Sequence, residues 1–208
     1  RSKWLTAVGE DFIAEAFKAA RQADPKAKLY YNDYGIELPS KREKTLRLLR
    51  ELKKAGAPID GIGIQGHWQL DRIPFRELER AIEAFHDEGV EVAITELDVD
   101  VVTRANDGAD VGARQSGGRD PFAAGLPPEL QQRLADQYAQ LFALLLRHHD
   151  SISRVTFWGL HDGRTWLNFW PYRRTSHPML FDRAEQPKPA FAAVMAAARG
   201  ERGAAPQR

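Results

Sequence analysis

The stretch EVAITELDVD, Glu91–Asp100, opens as a β-prone apolar run and ends on Glu96, with Asp98 and Asp100 two and four residues on. A buried strand has no packing use for a carboxylate at its end, because an unpaired charge is costly to take out of water. A strand that ends this way needs either a partner for its acids or a task for them. Its flanks say which fold it serves. An apolar helical pattern through Ala81, Ile82 and Phe85 precedes it, opened by Pro74 and ended by Gly89. A long helix starting at Pro128 follows it, with Leu134, Tyr138, Leu141, Phe142 and Leu145 at helical spacing.

The same alternation extends both ways. Residues 9–23 carry Phe12, Ile13, Ala16, Phe17 and Ala20 at helical spacing, and Asp24-Pro25 ends the pattern. KLYYN, 28–32, reads as a short strand. Ser40 with Glu43 three residues later reads as a capping box, starting a helix through Leu46, Leu49 and Leu52 that stops near Gly56. Residues 61–65 read as a second strand, 91–96 as a third and 153–158 as a fourth. A last helix follows Pro189. The order α-βα-βα-βα-βα predicts an α/β fold with four parallel strands. Residues 101–127 are irregular, and a loop of that length inside a domain is usually functional or mobile. One domain over 1–199 is expected, with 200–208 as a frayed polar tail.

Composition narrows the function classes. The 208 residues carry a net charge of +1 with acids and bases interspersed, so no basic stripe for nucleic acid is visible. No run is long and apolar enough to span a membrane. The chain has no cysteine, which removes disulfides, thiolate metal sites and cysteine nucleophiles.

Chemistry-bearing residues gather where the strands end. The first ends Asn32-Asp33-Tyr34, the second Gln65-Gly66-His67-Trp68, the third Thr95-Glu96-Leu97-Asp98, and the fourth Trp158, running on to His161-Asp162 and Trp166. In α/β barrels and open α/β sheets alike, ligands sit at the C-terminal ends of the strands. Each residue also has a plain structural reading. Glu96 could cap a loop or pair with an arginine, His67 could be a satisfied core histidine, and Trp158 and Trp166 could be core. Asp98 and Asp100 could be solvated loop acids, and Asp100 is read so. His148 and His149 read as a surface pair favoured by a helix C-terminus, and His86 and His177 are likewise read as structural. The combination of a carboxylate, an imidazole, two amides and several indoles has the makeup of a carbohydrate site, with apolar walls and a few placed polar groups.

KLYYNDYGIE, IDGIGIQGHW, EVAITELDVD, VTFWGLHDGRTWLNFWP and PMLFDRAEQPKPAF, in this order, resemble the C-terminal half of glycoside hydrolase family 10, mostly endo-1,4-β-xylanases on a (β/α)8 barrel. The resemblance covers nearly the whole chain and implies the C-terminal half of such a barrel. It implies Glu96 as the nucleophile of a retaining hydrolase, His67 as its hydrogen-bond partner and Asp98 as the support behind His67. It also implies Asn32, Gln65 and Tyr34 as sugar-site residues, Trp158 and Trp166 as walls of the pocket, no cofactor, xylan or xylo-oligosaccharide as substrate, and an extracellular or periplasmic location. Glu96 and Asp98 stand two apart, so a regular strand would put both on one face, with His67 bridging them from the next strand.

The family's acid/base glutamate lies in a Trp-Asp-x-x-Asn-Glu motif that these 208 residues lack. Glu37 sits in the NDYxxE context and reads as a loop residue; Glu10 and Glu15 lie on the opening helix. The expectation is therefore a fragment of a longer product, with open strand edges near Lys28 and Ser153 that favour self-association. Two other readings stay open: a non-catalytic β-glycan-binding half-barrel, and a metal-dependent barrel hydrolase using His67, Glu96, Asp98, His161 and Asp162.

Overall fold

A computed structural model describes residues 2–102 and 118–200 of the chain. The expected loop at 101–127 therefore lies in part, and the tail at 201–208 wholly, outside the described residues. Two helices open the chain, α1 (Lys3–Val8) and α2 (Phe12–Ala23), separated at Gly9, whose φ of 97° ends the first. The single opening helix expected at 9–23 is thus shorter and has a predecessor. Then come β1 (Tyr30–Asp33), α3 (Pro39–Lys54), β2 (Gly61–Ile64), β3 (His67–Gln69), α4 (Phe75–Asp87), β4 (Glu91–Asp100), α5 (Pro128–Arg147), β5 (Ile152–Phe157) and α6 (Pro189–Ala198).

Every strand pairing is parallel. β1 lies beside β2, β2 beside β4 and β4 beside β5, while β3 continues alongside the far end of β4. The expected second strand at 61–65 is β2, one residue shorter, and beyond Gln65 and Gly66, the glycine at φ 82°, comes β3, a strand not expected from the sequence. The count of four strands becomes five by pairing, although β2 and β3 occupy one position in the sheet. Among the described residues β1 pairs only with β2, and β5 only with β4. The strand order follows the chain, as four successive βα units of a barrel require.

The core sits between this sheet and its helices. Ile62, Ile64, Val92, Ile94 and Leu97 meet Leu78, Ala81, Ile82 and Phe85 of α4 and Leu134, Tyr138 and Leu141 of α5, all at 0–1% exposure. Each such Leu, Ile or Phe is worth about 1.5–3 kcal/mol of transfer free energy. The Tyr138 hydroxyl donates to Pro178 O at 2.7 Å, which fastens α5 to the long segment after β5. The helix starts depart from the sequence reading at Ser40. Pro39 takes the first position of α3, Leu38 is its N-cap, and no side chain caps it. A proline at that position needs no N–H partner and has its φ already set, so it displaces the capping box by two residues.

Asp100 overturns its reading as a solvated acid. It is 1% exposed, and its Oδ2 accepts from Arg174 Nη2 at 2.6 Å, both side chains being fully buried. Arg174 Nε also donates to Leu167 O at 3.1 Å. Asp100 therefore ties the end of β4 to the segment that presents Trp166. Replacing Asp100 by Leu strands a buried guanidinium and should cost about 3–5 kcal/mol in urea unfolding. The double variant Asp100→Leu/Arg174→Met should recover part of that loss; an unchanged or larger loss would contradict the pairing.

Candidate active site

At the C-terminal ends of the strands, β4 does not run regularly. Between the Ile64–Ile94 and His67–Asp98 pairs, the neighbouring strand advances three residues while β4 advances four. The extra residue makes a bulge at Thr95 and Glu96, and the β4–β5 register also shifts between Ile94 and Leu97. Glu96 N donates to Gln65 O at 2.8 Å and Asp98 N to Gly66 O at 3.2 Å, so the bulge is still hydrogen-bonded. The regular strand expected from the spacing is corrected here. Glu96 and Asp98 both reach His67, but across an irregularity.

His67 stands between the two carboxylates. Its Nε2 is 3.1 Å from Glu96 Oε2, and its Nδ1 is 3.0 Å from Asp98 Oδ1. The Nδ1 contact is a close ion pair out of line for an aligned hydrogen bond. Burial alone would push the imidazole pKa down, but the pairing with Asp98, then that with Glu96, outweighs it. The ring's pKa is raised above its ordinary value. Asn32, at the end of β1, donates from Nδ2 to Glu96 Oε1 at 2.9 Å. Both oxygens of Glu96 thus have partners, one from β3 beside it and one from β1, across β2.

The aromatic residues build outward from this clamp. Trp166 Nε1 donates to Asp98 Oδ2 at 2.7 Å, and its ring lies edge-on 5.0 Å from His67. Trp170 stacks on Trp166 at 4.7 Å. Trp158, 46% exposed, has its ring 6.4 Å from His67, so it is no core residue. Tyr34 lies beneath the Lys41 ammonium, 3.9 Å from the ring centre, and borders a cavity of about 160 Å³ that it shares with Glu37, His67 and Trp68. Gln65 is half-buried and contributes through its backbone, which receives Glu96 N.

All eight residues singled out in the sequence lie at this one end of the sheet. Several others there were read differently or missed. Glu37 is buried in the turn after β1 and accepts from Trp68 Nε1 at 2.8 Å; burial pushes its carboxyl pKa up. Trp166 is a hydrogen-bond donor to Asp98 as well as a wall, and Thr95 contacts Asn32. His161 and Asp162 belong elsewhere. Asp162 is buried against Lys188 Nζ at 2.9 Å and Met179 N at 2.8 Å, and His161 accepts from Gly163 N. Among the described residues no three His, Asp or Glu side chains are grouped as a metal site. His177 is structural, its Nε2 3.1 Å from Phe122 O, and His148 meets Glu79 at 3.0 Å while His149 is exposed.

Comparison with known proteins bears on this arrangement. A family model described as glycosyl hydrolase family 10 matches residues 1–197. An endo-1,4-beta-xylanase of Geobacillus stearothermophilus is 41% identical over 191 residues, covering 91% of this chain and 54% of that protein. A GH10 endoxylanase retrieved from a sugarcane soil metagenome superposes with a TM-score of 0.90 at 43% identity, covering 94% of this chain and 58% of the other. A related structure solved in complex with xylotriose superposes at 0.82 with 36% identity, over 94% and 56%. The chain spans about half the length of the curated relatives it matches.

The raised His67 pKa has a stability consequence. A group whose pKa is higher folded than unfolded stabilises fully below its unfolded value of about 6.5, and that contribution is lost as pH rises through the folded value. Urea unfolding between pH 5.5 and 9 should show the wild type losing stability with rising pH through this window. Asp98→Asn removes the stronger upward pull and should flatten the loss. A wild-type profile that rises with pH there would contradict the assignment.

Proposed function

The chain belongs to glycosyl hydrolase family 10, and on that premise we propose that it carries the nucleophile side of a retaining endo-1,4-β-xylanase site. The observation that supports this most is the Glu96 carboxylate, held between Asn32 Nδ2 at 2.9 Å and His67 Nε2 at 3.1 Å among exposed indole. Partners on both oxygens fix the orientation of the carboxylate that a nucleophile must present. In the proposed reaction a Glu96 oxygen bonds to the anomeric carbon as the glycosidic C–O bond breaks. A second carboxyl gives its proton to the leaving oxygen. Water then attacks the anomeric carbon, gives its proton back to that second carboxyl, and releases Glu96. His67, backed by Asp98, orients Glu96, while Trp158 and Trp166 offer flat apolar faces to sugar rings.

The proton donor is proposed to lie outside these 208 residues. Among the described residues, the carboxyls nearest Glu96 and His67 already hold other partners through at least one oxygen. Asp33 pairs with Lys41 at 2.9 Å, Asp98 with His67 and Trp166, and Glu37 with Trp68. Xylan or a xylo-oligosaccharide is the proposed substrate, in keeping with the related xylanases and with the xylotriose complex of one of them. A polymeric substrate goes with an extracellular or periplasmic location, which is part of the same proposal. The opposing reading is a glycan-binding half-barrel without chemistry.

A 2-deoxy-2-fluoro xylobioside with a dinitrophenyl leaving group separates the two, since it departs with little acid assistance. Mass spectrometry should find a covalent sugar on the peptide containing Glu96, and none in Glu96→Gln. Sugar binding without any adduct would overturn the nucleophile assignment and favour the glycan-binding reading.

A further inference from the structure

The geometry points to Thr95 as a positioning residue that fixes which way the Asn32 amide faces, and so whether Glu96 receives its second hydrogen bond. The role rests on the reading of Glu96 as nucleophile, but the contacts that carry it are independent of that reading. Thr95 Oγ1 donates to Asn32 Oδ1 at 2.6 Å, and Asn32 Nδ2 donates to Glu96 Oε1 at 2.9 Å. The Thr95 hydroxyl is also 3.3 Å from Ile64 O, a longer second acceptor.

An asparagine amide has two ends, and only one of them suits an ionised carboxylate. With its oxygen toward Glu96, Asn32 would set two acceptors against each other. With its NH2 toward Glu96, its oxygen faces Thr95 and needs a donor there. A hydroxyl supplies that donor and a methyl group does not. Glu96, as an acceptor, calls for the NH2 end, and Thr95 holds that orientation by supplying the donor the amide oxygen then needs, making a chain from hydroxyl to amide to carboxylate.

Two features of the backbone make the chain possible. Consecutive residues in a regular strand point to opposite faces. Thr95 and Glu96 nevertheless both reach Asn32, because the bulge in β4 falls on them. Gly63, the register partner of Asn32 on β2, leaves the space in which they meet. A Cβ there would stand 2.7 Å from Asn32 Oδ1 and 2.9 Å from Thr95 Cγ2, so any larger residue displaces both.

The test uses Thr95→Val, which keeps the shape and removes the donor, and Thr95→Ser, which keeps the donor. In 15N-labelled full chain, the two Asn32 side-chain protons should differ strongly in chemical shift in the wild type, one being held by Glu96. Thr95→Val should collapse that difference and Thr95→Ser should retain it, with backbone amide spectra otherwise unchanged. Labelling of Glu96 by the fluoro-xylobioside should slow about tenfold in Thr95→Val and stay within about twofold of wild type in Thr95→Ser, a tenfold change being about 1.4 kcal/mol. If Thr95→Val leaves the Asn32 protons as they were in a folded chain, the role is overturned. If it unfolds the chain, Thr95→Ser and Gly63→Ala decide. The serine variant should match wild type and the alanine variant should lose the Asn32–Glu96 signature; the reverse would refute the chain. Failure to label wild-type Glu96 would refute the nucleophile reading alone, because the amide measurement needs no substrate.

Discussion

The site depends on one imidazole held between two carboxylates. His67 meets Glu96 on one side and Asp98 on the other, and each contact explains something the other cannot. Asp98 is 1% exposed, and a carboxylate that deeply buried needs donors. It finds one in Trp166, which couples the strand end to the aromatic segment after β5, and it lies in close ion-pair contact with His67. Glu96 is less buried and faces the open end of the sheet, where a reacting sugar could approach it. The ring sits within 3.1 Å of one carboxylate and 3.0 Å of the other, so each lies against an imidazole nitrogen. Removing the ring would leave two carboxylates facing each other with fewer donors between them.

The fold serves this clamp through its irregularities as much as its regularity. The parallel pairs bring β1, β2 and β4 side by side, which sets Asn32, His67 and Glu96 within reach of one another. The break at Gln65 and Gly66 and the bulge at Thr95 and Glu96 then turn the side chains into contact. Gly66 takes a positive φ that other residues rarely adopt, and a Cβ there would come within 2.9 Å of Ile94. The buried Asp100–Arg174 pair fixes the far end of the same strand to the segment bearing Trp166 and Trp170. The distances within the clamp are thus set by backbone features of two adjacent strands and by one buried ion pair.

Much of this was legible in the residues. The alternation of helical and strand patterns predicts the parallel sheet, because strands buried under helices must be apolar and crossovers must be long. The helical faces at Leu78, Ile82 and Phe85 and at Leu134, Tyr138 and Leu141 are also readable, since periodicity encodes burial directly. The strand-end residues were legible as a group because topology collects them at one edge. What was not legible depends on contacts between distant residues. Asp100 looks like a solvated acid until Arg174, 74 positions away, is seen beside it. Glu37 looks like a loop acid until Trp68 is found donating to it. The bulge has no residue signature of its own, so nothing in the spacing brings Thr95 and Glu96 together onto Asn32. Ser40 misled because Pro39 beside it takes the first helical position, which leaves Ser40 inside the helix and not at its cap.

The account stands on the His67 imidazole lying between two carboxylates, 3.1 Å from Glu96 Oε2 and 3.0 Å from Asp98 Oδ1, with its pKa raised by them. The most direct measurement is 15N NMR of the histidine side chains in the full chain at pH 6.5, with His67 identified through its loss in His67→Asn. The account predicts that both His67 nitrogens are protonated, each showing a one-bond coupling to its own hydrogen, with Nδ1–H and Nε2–H both protected from solvent exchange. A ring with one nitrogen bare at that pH would contradict it, because Glu96 or Asp98 would then face a lone pair instead of a donor.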